Sequence, residues 1–201
     1  MKKWLIPVII IAVIGFGLVS WYVGVKNGAV EVNQGVSKEW GNVETAYQRR
    51  NDLIGNLVKT VKGAADFEKS TLEAVIKARS EATSVKIDPT NITPEQLNQF
   101  NQAQSGLSSA LSRLLVTVER YPDLKANQNF LKLQDELAST ENQILTARTR
   151  FNEKVEIYNN YVLKMPRSFI LSEYKEKTYF EAEKGAEKPV EVEFNFDNKP
   201  Q

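Results

Sequence analysis

Two carboxylate pairs and one charged cluster are the side chains of this 201-residue chain whose types could do chemistry. Asp135 with Glu136, and Glu153 with Glu156, have the makings of an acid–base pair, provided a pocket raises the pKa of one member. Arg49, Arg50, Asn51 and Asp52 form the cluster, which suits an anion, a partner or a developing negative charge. The rest of the inventory closes most catalytic routes. The chain has no cysteine and no histidine. The first absence removes thiolate nucleophiles, zinc–thiolate sites and a lipoprotein anchor. The second removes Ser–His triads, HExxH metal sites and the side chain best placed to exchange protons near neutrality. Neither GxxxxGK[ST] nor GxGxxG occurs, so no phosphate-cradling loop is written here. Carboxylate-only hydrolysis and oxygen-ligated Mg²⁺ or Ca²⁺ remain by composition. On long helices with charges of alternating sign, however, carboxylates form a solvated face. No catalytic residue, metal, cofactor or small-molecule substrate is expected.

The elements that would position these groups show in the apolar spacing. Val36, Trp40, Val43, Tyr47, Arg50, Ile54, Leu57 and Val61 recur at steps of four and three, with Arg50 the polar exception. Leu97, Phe100, Gln104, Leu107, Leu111, Leu114, Val118 and Tyr121 form a second seam, interrupted by Gln104. A third runs Phe130, Leu133, Leu137, Thr140, Ile144, Ala147 and Phe151, then resumes as Val155, Tyr158, Val162 and Met165. This is the grammar of helices that bury a narrow stripe against one another. Thr93, Pro94 and Gln96 read as a capped helix start. Asn127, Gln128 and Asn129 read as another. Pro122 separates the second segment from the third, and Pro166 ends the third. The segments are therefore expected near 30–86, 94–121 and 124–165. The first weakens at Gly63, beyond which Phe67, Leu72, Val75, Ile76, Ala78 and Ala82 follow a shifted phase. It is one bent helix or two in series. Short links force antiparallel neighbours.

The N-terminus is of another kind. Residues 4–25, WLIPVIIIAVIGFGLVSWYVGV, carry no charge and lie between Lys3 and Lys26. Twenty-two helical residues reach roughly 33 Å, enough for a bilayer core. The run exceeds a signal-peptide h-region, and no A-x-A site follows it. Trp4 at one end and Trp21 with Tyr22 at the other suit the two interfaces. Lys2 and Lys3 favour a cytoplasmic N-terminus. The expected organisation is 1–3 cytoplasmic, 4–25 transmembrane anchor, 26–33 link, 34–166 bundle and 167–201 tail. The fold class is all-α: an anchor, an elongated antiparallel bundle of three or four long helices, and a short extended tail. In that tail Val190, Val192, Phe194 and Phe196 alternate like one strand.

Beyond the span, the 26 basic residues lose Lys2, Lys3 and Lys26, leaving 23 against 25 acidic ones. That balance gives no basic face for nucleic acid. Arg50 on its seam is expected to fix register through an ion pair with Glu119, Glu136 or Glu141, since an unpaired buried charge is costly. An anion or partner site is the alternative. Gly106, costly inside a helix, is expected where another helix comes close, within the bundle or between subunits. Phe169, Ile170, Tyr179 and Phe180 are surplus apolar positions that another subunit would cover.

RRNDLIGNLVKTVKGAADFE at 49–68 resembles the signature segment of the LemA family. YPDLKANQNFLKLQDELASTEN at 121–142 and ARTRFNEKVEIYNNYV at 147–162 resemble its second and third signatures. YFEAEKGAEKPVEVEF at 179–194 resembles its C-terminal piece. Three positions depart from the pattern: Gly55 stands at a usual proline, Ala64 at a common tyrosine and Phe67 at a common histidine. Gly55 suggests a bend or loosening, and Phe67 leaves any role of that histidine unfilled. The resemblance implies a bacterial protein with one N-terminal span and long antiparallel helices. It brings no biochemical reaction with it, and a magnetosome-membrane relative points to membrane-associated assembly. The expectation is a non-enzymatic scaffold or interaction protein in the inner membrane, domain outside. Its partner would be a second copy or another membrane protein. The alternative is an adaptor or sensor acting on a membrane-embedded partner, with Gly15, Gly17 and Gly24 available for packing in the span.

Overall fold

α1 is one helix from Leu5 to Lys62, so the apolar run and the first seam share a single rod. The computed structural model describes residues 4–64 and 67–181. Among these, α1 is followed by α2 (Lys69–Ser84), α3 (Pro94–Val118), α4 (Pro122–Lys125), α5 (Gln128–Leu163) and α6 (Arg167–Ile170), with no strand. The strand-like residues 190–196 lie outside the described residues.

Residues 26–33, expected as a link, are helical. The reason is the seam itself: Val25 and Ala29 are buried and Val32 partly so, carrying the four-and-three spacing back from Val36 to the end of the apolar run. Gly28 permits the close approach of α5 at this level. A Cβ there would overlap the Tyr161 hydroxyl, which donates to the Val25 carbonyl at 3.2 Å. At the far end α1 stops at Gly63, whose N–H bonds the carbonyls of Lys59 and Thr60. The long first segment is therefore two helices. α1 continues through Gly55, over which the Arg79 guanidinium lies 3.1 Å from where a Cβ would stand.

The other boundaries follow their caps. Thr93 and Gln96 form the reciprocal capping box, and Pro94 opens α3. Asn127 accepts from the N–H groups of Asn129 and Phe130 at the start of α5.

α1 and α3 run one way, α2 and α5 the other. Arg79 donates from α2 to the Asn51 carbonyl at 2.8 Å, and Gln104 donates from α3 to the Ala82 carbonyl at 3.3 Å. All eight residues of the first expected seam are buried. The buried side chains form two apolar bodies. The distal one joins Ile54, Leu57 and Val61 to α2, Leu107, Leu114, Phe130 and Leu137. The proximal one, nearer the N-terminal apolar run, joins Val36, Trp40 and Val43 to Phe100, Phe151 and Val155. There α2 has run out and α3 supplies only its first turns, through Leu97 and Phe100; the rest of the cover comes from the α2–α3 loop, through Ile87 and Ile92, and from the chain after α6.

That chain is extended and runs antiparallel along α5. Asn159 donates to the Lys177 carbonyl and accepts from the Lys177 N–H, both at 2.9 Å. Asn152 does the same for Phe180 at 2.9 and 2.8 Å. Seven helical residues advance about 10.5 Å and three extended ones about 10 Å, so the two spacings match. Each amide side chain replaces a neighbouring strand for one residue of the tail. Phe180 is thereby pressed onto Trp40, stacked at 5.9 Å, and edge-on to Phe151 at 5.3 Å. The expectation that another subunit covers Phe180 is corrected: it is 5% exposed within its own chain.

Replacing Asn152 and Asn159 together by Leu should release this segment. The Lys177 and Phe180 amides should lose their slow hydrogen–deuterium exchange, at a cost of about 1–3 kcal/mol for each main-chain pair uncovered. Unchanged protection at both amides would show that Phe180 packing alone holds the tail.

Candidate functional site

Arg50 is the charged group that the fold takes inside. Its side chain is 4% exposed and lies between the two apolar bodies. One guanidinium nitrogen donates to Glu141 Oε1 at 3.2 Å. The other donates to the main-chain and side-chain oxygens of Gln104, both at 3.1 Å. The Tyr47 ring lies 5.4 Å from the guanidinium carbon. Gln104 passes the connection to Ala82, so this junction touches α1, α2, α3 and α5. Thr140, also fully buried, donates to the Glu136 carbonyl at 2.8 Å. Of the three carboxylates expected as partners, Glu141 takes the role. Glu119 pairs with Lys125 and Glu136 with Lys132. Burial pushes the Tyr47 hydroxyl above its ordinary pKa, so Tyr47 stays neutral beside Arg50.

The expected cluster divides across the helix surface. Arg50 and Asn51 point in, Arg49 and Asp52 out. Asp52 accepts from Gln48 at 3.0 Å and stands 3.9 Å from Arg79. The two arginines do not converge on one ligand. Asn51 Oδ1, Arg50 Nε and Trp40 Nε1 have no hydrogen-bond partner among the described residues. An open groove lined by Gln48, Asn51, Val85 and Lys86 runs past Asn51.

The carboxylate pairs gather no chemistry. Asp135, Glu153 and Glu156 are not buried, and Glu136 faces Lys132. Among the described residues no three carboxylates meet at one point. Gly106 lies on the exposed face of α3, and a Cβ added there would meet nothing within 4 Å. The reading of a close helix approach within the bundle is therefore corrected; the α3 surface that packs inward is that of Gln104 and Leu107. Trp4, Trp21 and Tyr22 stand at the two ends of a helical stretch that is exposed along its length.

Lys177 was not singled out by the sequence. Its residue is 4% exposed, its ammonium donates to the Thr90 carbonyl at 2.8 Å, and the Tyr158 ring lies 5.1 Å away. Burial lowers its pKa from 10.5, partly opposed by the charge of Asp88. Asp88 itself is held low by hydrogen bonds from Thr90. Burial pushes the Tyr158 hydroxyl up to about 12, and that hydroxyl donates to the Lys175 carbonyl at 3.1 Å. The signal available in sequence was the seven-residue spacing of Asn152 and Asn159 beside the third seam.

Residues 39–194 match the family model described as the LemA family. Magnetosome protein MamQ 2 of Paramagnetospirillum magneticum is similar, 26% identical over 183 residues, with 82% of this chain and 67% of that protein covered. Magnetosome protein MamQ of Magnetospirillum gryphiswaldense matches at the same identity and coverage. Protein LemA of Metamycoplasma hominis is 25% identical over 141 residues, covering 70% of this chain and 61% of that protein. The chain belongs to the LemA family.

Two outcomes test the junction. Arg50→Ala strands the Gln104 oxygens in a buried layer and should cost about 3–5 kcal/mol in urea unfolding. Glu141→Gln removes a half-exposed partner and should cost below about 1 kcal/mol. Equal losses would show that the ion pair, not the Gln104 bonds, carries the site. Lys177 gives a pH signature. Its folded pKa lies below the unfolded one, so the unfolded state binds more protons between the two values. Stability relative to Lys177→Met should therefore rise with pH through that window, which ends near 10.5, and be flat below it. A difference that falls across the same window would contradict the burial of a charged lysine.

Proposed function

We propose that this LemA-family chain is a membrane-anchored, non-enzymatic scaffold that presents the faces of its helical bundle to other proteins. The observation that carries the reading is the continuity of α1. One 58-residue helix contains both the apolar run and the first core seam, so the bundle is held at a fixed height and rotation above the bilayer. A hinged tether would serve an enzyme equally well; a rigid post serves assembly. The dispersed carboxylates and the lack of histidine and cysteine support the non-enzymatic part. The apolar helix and the magnetosome relatives support the membrane part. We place the N-terminus inside and the domain outside the inner membrane, on the basic flank of the span.

The same continuity favours a second reading, an adaptor for a membrane-embedded partner. Tilt or rotation of the span would pass directly into the α1–α5 core. Gly15, Gly17 and Gly24 leave the span surface open, with nothing within 4 Å of them.

The test is the mass and composition of the full-length protein, extracted in mild detergent through a C-terminal tag. A multimer of this chain alone is the expected result. A stoichiometric second membrane protein, lost on replacing Gly15 and Gly17 by Leu, would favour the adaptor. A lone monomer at all detergent conditions would sink both readings.

A further inference from the structure

The α5–α6 corner carries apolar side chains that the bundle does not use. Met165 continues the third seam in sequence, yet it is 73% exposed, because α5 ends at Leu163 and the chain turns away. Phe169 on α6 is 76% exposed and Leu163 46%. The neighbouring residues are cationic: Lys164 and Arg167 flank the turn, and Arg167 stacks over the Tyr161 ring at 4.1 Å. Among the described residues neither has a carboxylate partner within an ion pair.

The place of this corner matters more than its composition. Tyr161 bonds the Val25 carbonyl, and Lys26 pairs with Glu173. These contacts clamp the corner to α1 where the apolar run ends. A cleft there is lined by Trp21, Gly24, Val25, Met165, Pro166 and Arg167. The corner thus reaches Trp21, four residues back from Val25, or about 6 Å along the helix axis. The 22-residue run overshoots a bilayer core of about 30 Å only slightly. If the run spans, this depth is the level of headgroups and first methylenes.

We propose that residues 163–170 form a second membrane contact, with Met165 and Phe169 set among the outermost acyl carbons and Lys164 and Arg167 at the phosphate level. The occupant of the surface is lipid. The arrangement follows the logic of interfacial segments, an apolar face below and cations at the headgroups. Held by the span and by this foot, the bundle has a fixed tilt as well as a fixed height. The inference rests on the membrane-anchored reading above.

The chain has no cysteine, so single spin labels can be placed without removing native thiols. Full-length Met165→Cys and Phe169→Cys would be labelled in vesicles of phosphatidylcholine and phosphatidylglycerol. Ile14→Cys serves as the span reference and Leu145→Cys, on the bundle surface, as the water reference. Each label is then compared for collision with oxygen and with a water-soluble nickel chelate. The expected result is oxygen-dominated collision at 14, 165 and 169 and nickel-dominated collision at 145. Nickel-dominated collision at 165 and 169, with 14 in lipid, overturns the foot while leaving the anchor intact. Labels at 165 and 169 shielded from both reagents also overturn it, since protein would then cover the corner. Nickel access at 14 overturns the anchor reading and this inference with it.

Discussion

A buried guanidinium has few places where it can stand, and the bundle is arranged around the one that Arg50 occupies. Apolar seams alone leave register open: a slip of one heptad exchanges Val, Ile and Leu for one another at little cost. Arg50 removes that freedom. Moved by seven residues, it would stand at the level that Val43 or Leu57 now occupies, inside one of the two apolar bodies. At its own level it finds the two oxygens of Gln104, the Glu141 carboxylate and the Tyr47 ring. The layer contributes little net stability, because desolvation offsets most of the attraction. Its effect is on specificity. It also divides the apolar interior into two bodies, each free to be closed by different elements.

The distal body is closed by helices and the proximal one only in part. α2 and α3 begin and end about halfway along α1 and α5. Beyond the first turns of α3, whose Phe100 meets Trp40 edge-on, the proximal body is covered by the α2–α3 loop and the extended tail. An extended chain has unpaired N–H and C=O groups, which makes it an awkward lid for helices. Asn152 and Asn159 resolve the difficulty, since each primary amide offers a donor and an acceptor in the geometry of a strand edge. The tail can then be straight, close and satisfied, and deliver Phe180 to Trp40. A truncation at residue 166 would accordingly open the core, so it would report on folding before it reported on partners.

The helices were legible because their physics is local and periodic. The seams named eight of the fourteen buried residues of α1 and most of those of α3 and α5, and capping chemistry placed the starts of α3 and α5. Arg50 was legible as an exception to its own pattern, and so was its need for a carboxylate. The failures come from residues whose role is set by what lies across the chain. Residues 26–33 read as a link because the first seam was traced only from Val36; Val25, Ala29 and Val32, packed in the core, carry it further back. Gly106 read as a contact, yet the face it occupies is fixed by Gln104 and Leu107 beside it. Phe180 read as surplus because the amides that bring it inward belong to another element. Met165 kept the phase of its seam in a place where there was no longer a helix to use it.

That last mismatch bears on how the anchor and the bundle are joined. A seam that ran to Met165 would need α1 to offer a partner at Trp21 or below, inside the apolar run. Bundle packing and bilayer packing would then compete for the same face of one helix. The chain avoids the conflict by ending α5 at Leu163 and sealing the last level with Tyr161 against Gly28 and Val25. The core therefore stops at Val25, where the apolar run ends, with helix on both sides of that point. α1 is continuous across that plane, so the apolar run and the α1 half of the α1–α5 core share one helix axis. A hinge at residues 26–33 would uncouple the two packings, and the helical backbone found there leaves none.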